Sequence, residues 1–197
     1  MNYKSFKGWE KWVGEESTKS WIDKLNSGFW DKYCSGKGLD IGYAGYLDNR
    51  HAILPSAIGV GLDYPGYDGF RLPFEDTSQS YVFNSHVLEH IENYRQAIQE
   101  WFRVTKPRGH IVIVVPHRDL YERKSHPPSL WNEGHFRFYT PASLLKEIED
   151  SLEPNSYRIR YLEDNDKDHT YGVPVEIHAN GCYELTLVLE KLDKLQK

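Results

Sequence analysis

Two glycine-containing stretches, GLDIGYAG at residues 38–45 and GVGLD at residues 59–63, decide the fold of this 197-residue chain. Each contains a short apolar run that predicts a β-strand, and the first run ends in a glycine-containing turn. Glycine has no Cβ, so the backbone of such a turn can approach a ligand closely. The second strand ends in Asp63, which lies 63 − 40 = 23 residues after Asp40. At about this spacing a carboxylate accepts hydrogen bonds from the hydroxyls of a bound ribose.

Strand and helix patterns alternate along the rest of the chain. Residues 81–84 predict a third strand, and apolar residues recur at helical spacing over residues 94–102. The continuous β-branched run at residues 111–115 is typical of a central parallel strand that is covered on both faces. Residues 157–162 and 182–189 predict two further strands, the last with the alternation expected near a sheet edge. Alternating strands and helices favour a doubly wound α/β sheet.

The composition argues against several classes of protein. The formal net charge is −5 and no block of Lys or Arg is present, so nucleic acid is not expected as the main partner. No apolar run approaches the roughly 20 residues of a membrane span, and the N-terminus lacks the apolar core of a signal peptide. The two cysteines, Cys34 and Cys182, form no zinc or redox motif. We therefore expect a cytoplasmic protein that contacts neither membranes nor nucleic acid.

The chain divides into two parts. Residues 1–35 hold four of the six tryptophans, and Trp21 lies on the apolar side of a short predicted helix. This part is expected to form either a helical lead-in that packs on the main sheet or a lid over the functional site. Residues 36–197 carry the alternating strands and helices and form the main domain.

The stretch RLPFEDTSQSYVFNSHVLEHIE at residues 71–92 resembles the third and fourth motifs of class I S-adenosylmethionine-dependent methyltransferases of the type 11-like group. In that family LPF-x-D precedes a strand, and S-HVLEH follows it. The segment KPRGH at residues 106–110 resembles the K-P-G-G turn of the same family, and the whole resemblance covers roughly residues 36–145. It implies a Rossmann-like, doubly wound and mostly parallel sheet of seven strands with an antiparallel edge strand.

The same resemblance implies that S-adenosylmethionine is the cofactor, and it assigns the contacts by position. The predicted cofactor-binding residues, ordered from the methionine end through ribose and adenine to the sulfonium, are Asp40, Gly42, Gly45, Asp63, Leu72, Pro73, Phe74, Asn84 and Ser85. The glycine spacing does not satisfy GxGxxG, which disfavours the pyrophosphate of a dinucleotide. The turn also departs from the family pattern D-x-G-x-G-x-G, because Ala44 stands at its second glycine.

Nine histidines are many for this length, and several lie in the half of the chain expected to carry the methyl acceptor. Histidine titrates in the range useful for removing a hydroxyl proton, so it suits a general base for O-methylation. Arg137 is a candidate for binding an anionic group of the acceptor. The candidate catalytic histidines are His90, His135, His117 and His86.

A divalent metal ion is the second use that these side chains suggest. His86 and His90 are four residues apart, and on a helix they would share one face. Together with Glu89 and either His117 or His135, they offer the nitrogen and oxygen ligands of such a site. A bound ion would activate an acceptor hydroxyl as a Lewis acid. No zinc-spacing motif is present, so the sequence leaves the ligand set open.

The segment at residues 121–141 is longer than a plain connection and carries many charged, histidine and aromatic side chains. It resembles a W-N-x-x-H-x-R-x-Y-T-P segment of small bacterial methyltransferases that are associated with surface-polysaccharide gene sets. We therefore expect O-methylation of a small polar acceptor, a sugar, nucleotide-linked or phosphoryl intermediate of bacterial surface-polysaccharide synthesis.

Two rival functions stay open at this point. A catalytically silent, methyltransferase-like subunit of a heteromeric enzyme would fit the altered glycine turn. A nicotinamide-dependent oxidoreductase would need a phosphate-cradling glycine run, which the sequence lacks. The sequence does not decide whether the chain forms a homo- or hetero-oligomer.

Overall fold

The computed structural model describes Ser5, residues 7–43 and residues 51–193. Gly45, predicted to contact the cofactor, lies outside the described residues. Six strands form one sheet with the order β2-β1-β3-β4-β6-β5. The strands are β1 Gly38–Ile41, β2 Ala57–Val60, β3 Gln79–Ser85, β4 Thr105–Pro116, β5 Tyr157–Asn165 and β6 Glu184–Lys191.

The sheet is mostly parallel, as predicted. Strands β2, β1, β3 and β4 run parallel to one another, and β6 runs antiparallel to both β4 and β5. The reversed strand β6 therefore lies near one edge of the sheet, where an antiparallel strand was predicted. It is second from that edge, between β4 and the outermost strand β5.

The described residues form six strands, so the prediction of seven is wrong in number. Between β2 and β3 the chain forms only turns and bends over residues 61–78. This segment contains two prolines and three glycines, among them Pro65, Gly66 and Gly69. Proline cannot donate to a strand ladder and glycine weakens a strand, so a seventh strand is disfavoured there.

Four α-helices cover the sheet: α1 Glu15–Asn26, α2 Phe29–Tyr33, α3 Tyr94–Val104 and α4 Pro141–Ser151. Helix α4 begins with a capping box, because the Thr140 hydroxyl accepts a hydrogen bond from Ser143 N while the Ser143 hydroxyl accepts one from Thr140 N. Pro141 follows at the first helical position, where its missing N–H costs nothing. Within the described ranges, the helices are too short or too polar for any of them to traverse a lipid bilayer.

Helices pack on both faces of the sheet, which makes it doubly wound. On one face Ile98 and Trp101 of α3 and Leu144 of α4 enter the core. On the other face Trp21 and Trp30 of the N-terminal helices pack against a second apolar cluster of the sheet. The central strand β4 is buried on both sides along residues 111–115, which explains its unbroken β-branched sequence.

A buried ion pair fastens the N-terminal helices to this sheet. Lys24 of α1 lies 2.8 Å from Glu184 at the start of β6, and both side chains are buried. The Ser20 hydroxyl accepts a further hydrogen bond from the Lys24 ammonium group. Because a buried charge is stable only when it is paired, each partner depends on the other.

We expect Lys24→Met to lower the free energy of unfolding by about 3–5 kcal/mol, because Glu184 would be left as an uncompensated buried charge. Urea unfolding at pH 7 measures the change. The double variant Lys24→Met/Glu184→Leu should recover most of the loss, because it removes both charges. A single variant as stable as the wild type would contradict the interpretation.

Candidate functional site

The main cavity of the described structure has a volume of about 840 Å³ and opens at the carboxyl ends of three parallel strands. Ile41 and Gly42 contribute to its wall after β1, Val60 and Gly61 after β2, and His86 after β3. The strand order reverses between β1 and β3, so the cavity lies at a topological switch point. Ligands of open α/β sheets bind in this crevice.

Gly42 is required by the geometry of the turn that follows β1. Its φ is +83°, and a Cβ at this position would lie 2.2 Å from Cγ2 of Val87. Its N–H donates to the carbonyl of Val60 at 3.0 Å, which holds the turn against β2. Any side chain here would strain the backbone and push Val87 toward the cavity. The glycine predicted to contact the cofactor therefore lines the cavity, where the backbone of β1 approaches that of β3.

Asp40 lies one residue before the end of β1 and braces the chain beyond the glycine turn. Its carboxylate accepts a hydrogen bond from the N–H of Ile53 at 2.7 Å. Burial raises the pKa of Asp40 to about 7, although the hydrogen bond from Ile53 acts in the opposite direction. Asp63 has an exposed side chain and follows Leu62, which belongs to the cavity wall. The two carboxylates predicted to serve the cofactor thus occupy different surroundings.

The predicted adenine contacts lie beside a second cavity of about 500 Å³. Leu72, Pro73 and Phe74 line it together with Arg103, whose guanidinium donates to the carbonyls of Leu72 and Phe74. These three residues are absent from the wall of the main cavity.

Two aromatic residues outside the predicted site line the main cavity after β2. Tyr67 and Phe70 enter its wall through turns at Gly66 and Gly69, whose φ values are +80° and +87°. The signal in the sequence is the spacing of aromatic residues by glycine at residues 66–70. A tight double turn of this kind brings side chains back over the strand end.

Asn84 and Ser85 end β3 beneath the cavity. The Asn84 amide donates to the carbonyl of Val112 at 3.2 Å. In the described part of the chain, Asn84 Oδ1 and Ser85 Oγ are buried without a hydrogen-bond partner. Neither residue contributes to the cavity wall itself.

Three of the four candidate histidines meet around one buried carboxylate. Glu89 Oε1 lies 3.7 Å from His86 Nδ1, 4.0 Å from His90 Nε2 and 3.9 Å from His135 Nε2. His86 and His90 line the cavity, and His135 lies behind them with a ring-to-ring distance of 4.6 Å from His90. The grouping joins residues 86–90 after β3 with the long segment that follows β4.

The two histidines that face Glu89 through Nε2 are oriented by bonds to their other ring nitrogen. His90 Nδ1 pairs with the carbonyl of Gly134 at 3.0 Å, and His135 Nδ1 pairs with a carboxylate oxygen of Glu122 at 2.5 Å. A carbonyl only accepts, so Nδ1 of His90 carries the proton and Nε2 is left as an acceptor. Such an arrangement presents a nitrogen lone pair toward Glu89.

Glu89 itself is fully buried, and neither carboxylate oxygen has a hydrogen-bond partner among the described residues. Burial raises the pKa of Glu89 to about 8, and the nearby charge of Glu122 acts in the same direction. A buried carboxylate without a partner is costly, so this position favours a bound cation or a proton.

His117, the fourth candidate, lies away from the cavity wall. Its Nδ1 accepts a hydrogen bond from Asp119 N at 3.1 Å and caps the π-helical turn Arg118–Glu122. Its Nε2 lies 3.5 Å from a carboxylate oxygen of Asp164. Arg137, expected to bind an anionic group, instead donates to the carbonyls of Ile91 and Glu92 and to the carboxylate of Glu147.

We expect Asp40→Asn to be more stable than the wild type at pH 8, and we expect this difference to shrink steadily as the pH falls to 5 and below. The folded-state pKa of Asp40 is raised to about 7, whereas an unfolded aspartate titrates near ~3.9. Between these two pKa values the folded protein keeps a proton that the unfolded chain has released. The free energy of unfolding therefore falls as the pH rises from the unfolded pKa to the folded pKa. Asparagine keeps an oxygen for Ile53 and carries no charge.

Thermal unfolding of both proteins between pH 5 and 8 measures this difference. Parallel pH profiles for the wild type and the variant would show that Asp40 is not the titrating group.

The comparisons with known proteins agree with this geometry. The family model of the methyltransferase domain matches residues 47–113, about a third of the chain. A demethylmenaquinone methyltransferase of Streptomyces griseus is 39% identical over 64 residues, which make up 32% of this chain and 24% of that protein. The match thus spans about a quarter of the length of that curated relative.

Solved structures extend the likeness to nearly the whole chain. The YcgJ protein of Bacillus subtilis superposes with a TM-score of 0.61 at 15% identity, covering 88% of this chain and 98% of that one. A SAM-dependent methyltransferase of Aquifex aeolicus superposes with a TM-score of 0.57 at 12% identity, covering 93% and 96%. The fold is therefore the Rossmann-like fold of SAM-dependent methyltransferases. The domain match and these neighbours support the prediction of a SAM-dependent methyltransferase.

Proposed function

We propose that this chain is an S-adenosylmethionine-dependent methyltransferase that methylates an oxygen atom of a small polar acceptor. The observation that carries the proposal is that His90, which lines the switch-point cavity, belongs to a cluster with the buried residues Glu89 and His135. One end of the cavity has the backbone turn of a nucleoside site, and the other end has groups able to activate a hydroxyl. Methyl transfer needs both within one space.

The cavity fits the cofactor in size and in character. A volume of about 840 Å³ lies within the range of ~300–1,000 Å³ typical of small-molecule sites. Gly42 and Gly61 allow close backbone approach, and Tyr67 and Phe70 offer apolar surface for an adenine ring. The exposed carboxylate of Asp63, in the turn after β2, is our candidate for the ribose hydroxyls. The bound cofactor supplies a methyl group activated by its positive sulfonium.

Glu89, His90 and His135 are our candidate ligands for a divalent metal ion. Their ligand atoms all lie within 4.8 Å of one another, and both histidines are held by hydrogen bonds at Nδ1. Histidine ligands of metals commonly have such oriented partners. Two imidazoles and one carboxylate leave coordination positions open, so an acceptor oxygen could bind the ion and lose its proton more readily.

His86 supplies a second route to the same chemistry. It lines the cavity with φ +54°, a conformation that is unusual for a residue other than glycine. Its Nε2 is buried without a hydrogen-bond partner in the described part of the chain. A strained histidine in a cavity wall suits a general base for a hydroxyl acceptor. Both routes favour oxygen as the methylated atom.

The acceptor class follows from resemblance and from the wall of the cavity. The segment at residues 121–141 supports a sugar, nucleotide-linked or phosphoryl acceptor of surface-polysaccharide synthesis. Tyr94 and Phe136 also line the cavity near His90. These rings favour a planar aromatic acceptor as a second candidate, in keeping with the quinone named for the S. griseus relative. Methylation assays with sugar nucleotides and with hydroquinones separate the two classes.

We expect the wild type to bind S-adenosylmethionine and S-adenosylhomocysteine in calorimetric titrations and not to bind NAD. Asp63→Ala should weaken both adenosyl ligands at least tenfold, because two ribose hydroxyls lose their acceptor. Glu153→Ala, which removes an exposed carboxylate that does not line the cavity, serves as the control and should keep wild-type affinity. NAD binding alone would favour an oxidoreductase, and adenosyl binding without turnover would favour a silent subunit.

We expect the metal-free protein to bind one Mn²⁺ ion, detected by electron paramagnetic resonance. Glu89→Gln and His135→Gln should each weaken Mn²⁺ binding by at least about 10- to 100-fold. His126→Gln, an exposed histidine outside the cluster, is the control and should bind as the wild type does. Equal Mn²⁺ affinity in all four proteins would exclude this ligand set. It would leave His86 as the candidate base.

A further inference from the structure

We propose a binding site for a phosphoryl group at the end of the sheet opposite the cofactor cavity. A smaller cavity of about 210 Å³ lies there between α2 and the amino-terminal parts of β3 and β4. Its polar lining consists of Lys32, Ser35, Ser80, Lys106, Arg108 and His110. None of these residues contributes to the cofactor cavity. The proposal is therefore independent of the methyltransferase assignment.

The electrostatic character of this cavity differs from that of the whole chain. The chain carries a net charge of −5, yet three cationic side chains and no acidic one line the cavity. Lys32 and Lys106 form no ion pair within the described residues. Arg108 lies 3.1 Å from Glu190, and Arg160 pairs with the same carboxylate. One carboxylate thus faces several cations, so the local potential favours an anion.

His110 adds a half-buried ring to the same cavity. Burial lowers its pKa, and the positive charges of Arg160, Arg108 and Lys32 lower it further, while Glu190 acts in the opposite direction. The neutral ring and the hydroxyls of Ser35 and Ser80 offer hydrogen-bond donors without a competing negative charge. A tetrahedral oxyanion accepts bonds from ammonium, guanidinium and hydroxyl groups together.

The backbone at Arg108 gives an independent reason to regard its side chain as functional. Its φ is +64°, the left-handed conformation that glycine adopts without strain. The K-P-G-G turn that this segment resembles has glycine at that position, whereas this chain has arginine. The guanidinium is 68% exposed and is not used to fill the core. Strain retained at a surface position is typical of a residue that serves a ligand.

The size of the cavity and the spread of its charges select the ligand class. A volume of about 210 Å³ accommodates a phosphoryl group together with part of the small molecule that carries it. The cations form a compact group and not a stripe, which disfavours a nucleic-acid backbone. We infer that the ligand is the phosphate group of a small molecule.

The test uses inorganic phosphate, titrated into the full chain and followed by ³¹P NMR in metal-free buffer. S-adenosylhomocysteine is present at saturation, so that the cofactor cavity is filled. The wild type should bind phosphate saturably. Arg108→Gly and Lys106→Gln should each weaken binding at least fivefold, because each removes one cation from the cavity. S-adenosylhomocysteine affinity should be unchanged in both variants.

Arg108→Gly also separates ligand binding from folding. Glycine relieves the backbone strain at φ +64°, so the thermal midpoint of this variant should equal or exceed that of the wild type. Lys146→Gln, an exposed lysine on α4, is the control for a general loss of charge and should bind phosphate as the wild type does.

Three results would overturn the proposal. The first is phosphate binding by the wild type that does not saturate. The second is phosphate binding by Arg108→Gly and Lys106→Gln that is as tight as that of the wild type. The third is binding of a short single-stranded oligonucleotide in place of phosphate.

Discussion

The tight contact of Gly42 with Val87 fixes how the chain leaves β1 and β3 at the cavity. The turn places the backbone of residue 42 against Val87, with no room for a Cβ between them. The parallel pairing of β1 with β3 holds their carboxyl ends together, and the switch-point cavity opens above them. Residues 86–90 follow β3 directly and so lie at the cavity wall. The cofactor end of the cavity and the histidine cluster are therefore positioned by the same pair of strands.

Three acidic side chains of the described structure, Glu184, Asp40 and Glu89, are stabilised in different ways. Glu184 is neutralised by Lys24, which fastens the N-terminal helices to the sheet. Asp40 relies on one backbone N–H, and burial raises its pKa to about 7. Glu89 has no hydrogen-bond partner among the described residues and faces three imidazole rings. The position of Glu89 favours a cation or a proton from outside the chain, and we place the proposed chemistry there for that reason.

Several features could be predicted because they depend on local sequence. The β-branched run of β4 and the Thr140-Pro141 start of a helix have the same meaning in any tertiary context. The glycine turn after β1 was also predicted, since only its backbone conformation was at issue. The adenine-side contacts were harder, because Leu72, Pro73 and Phe74 were placed by family position. In the described structure Tyr67 and Phe70 line the main cavity, whereas the three predicted residues line the second one.

The doubly wound sheet, the glycine turn after β1 and the ligand crevice at the carboxyl ends of the strands could be predicted from the sequence. Hydrophobic periodicity and the placement of glycine depend on a few neighbouring residues, so both can be recognised in the sequence alone. Only the tertiary structure decided that His135 joins His90 at Glu89 while His117 turns away toward Asp164. It also gathered the cations around Arg108. These groupings join residues far apart in the chain, and their distances depend on how whole elements pack.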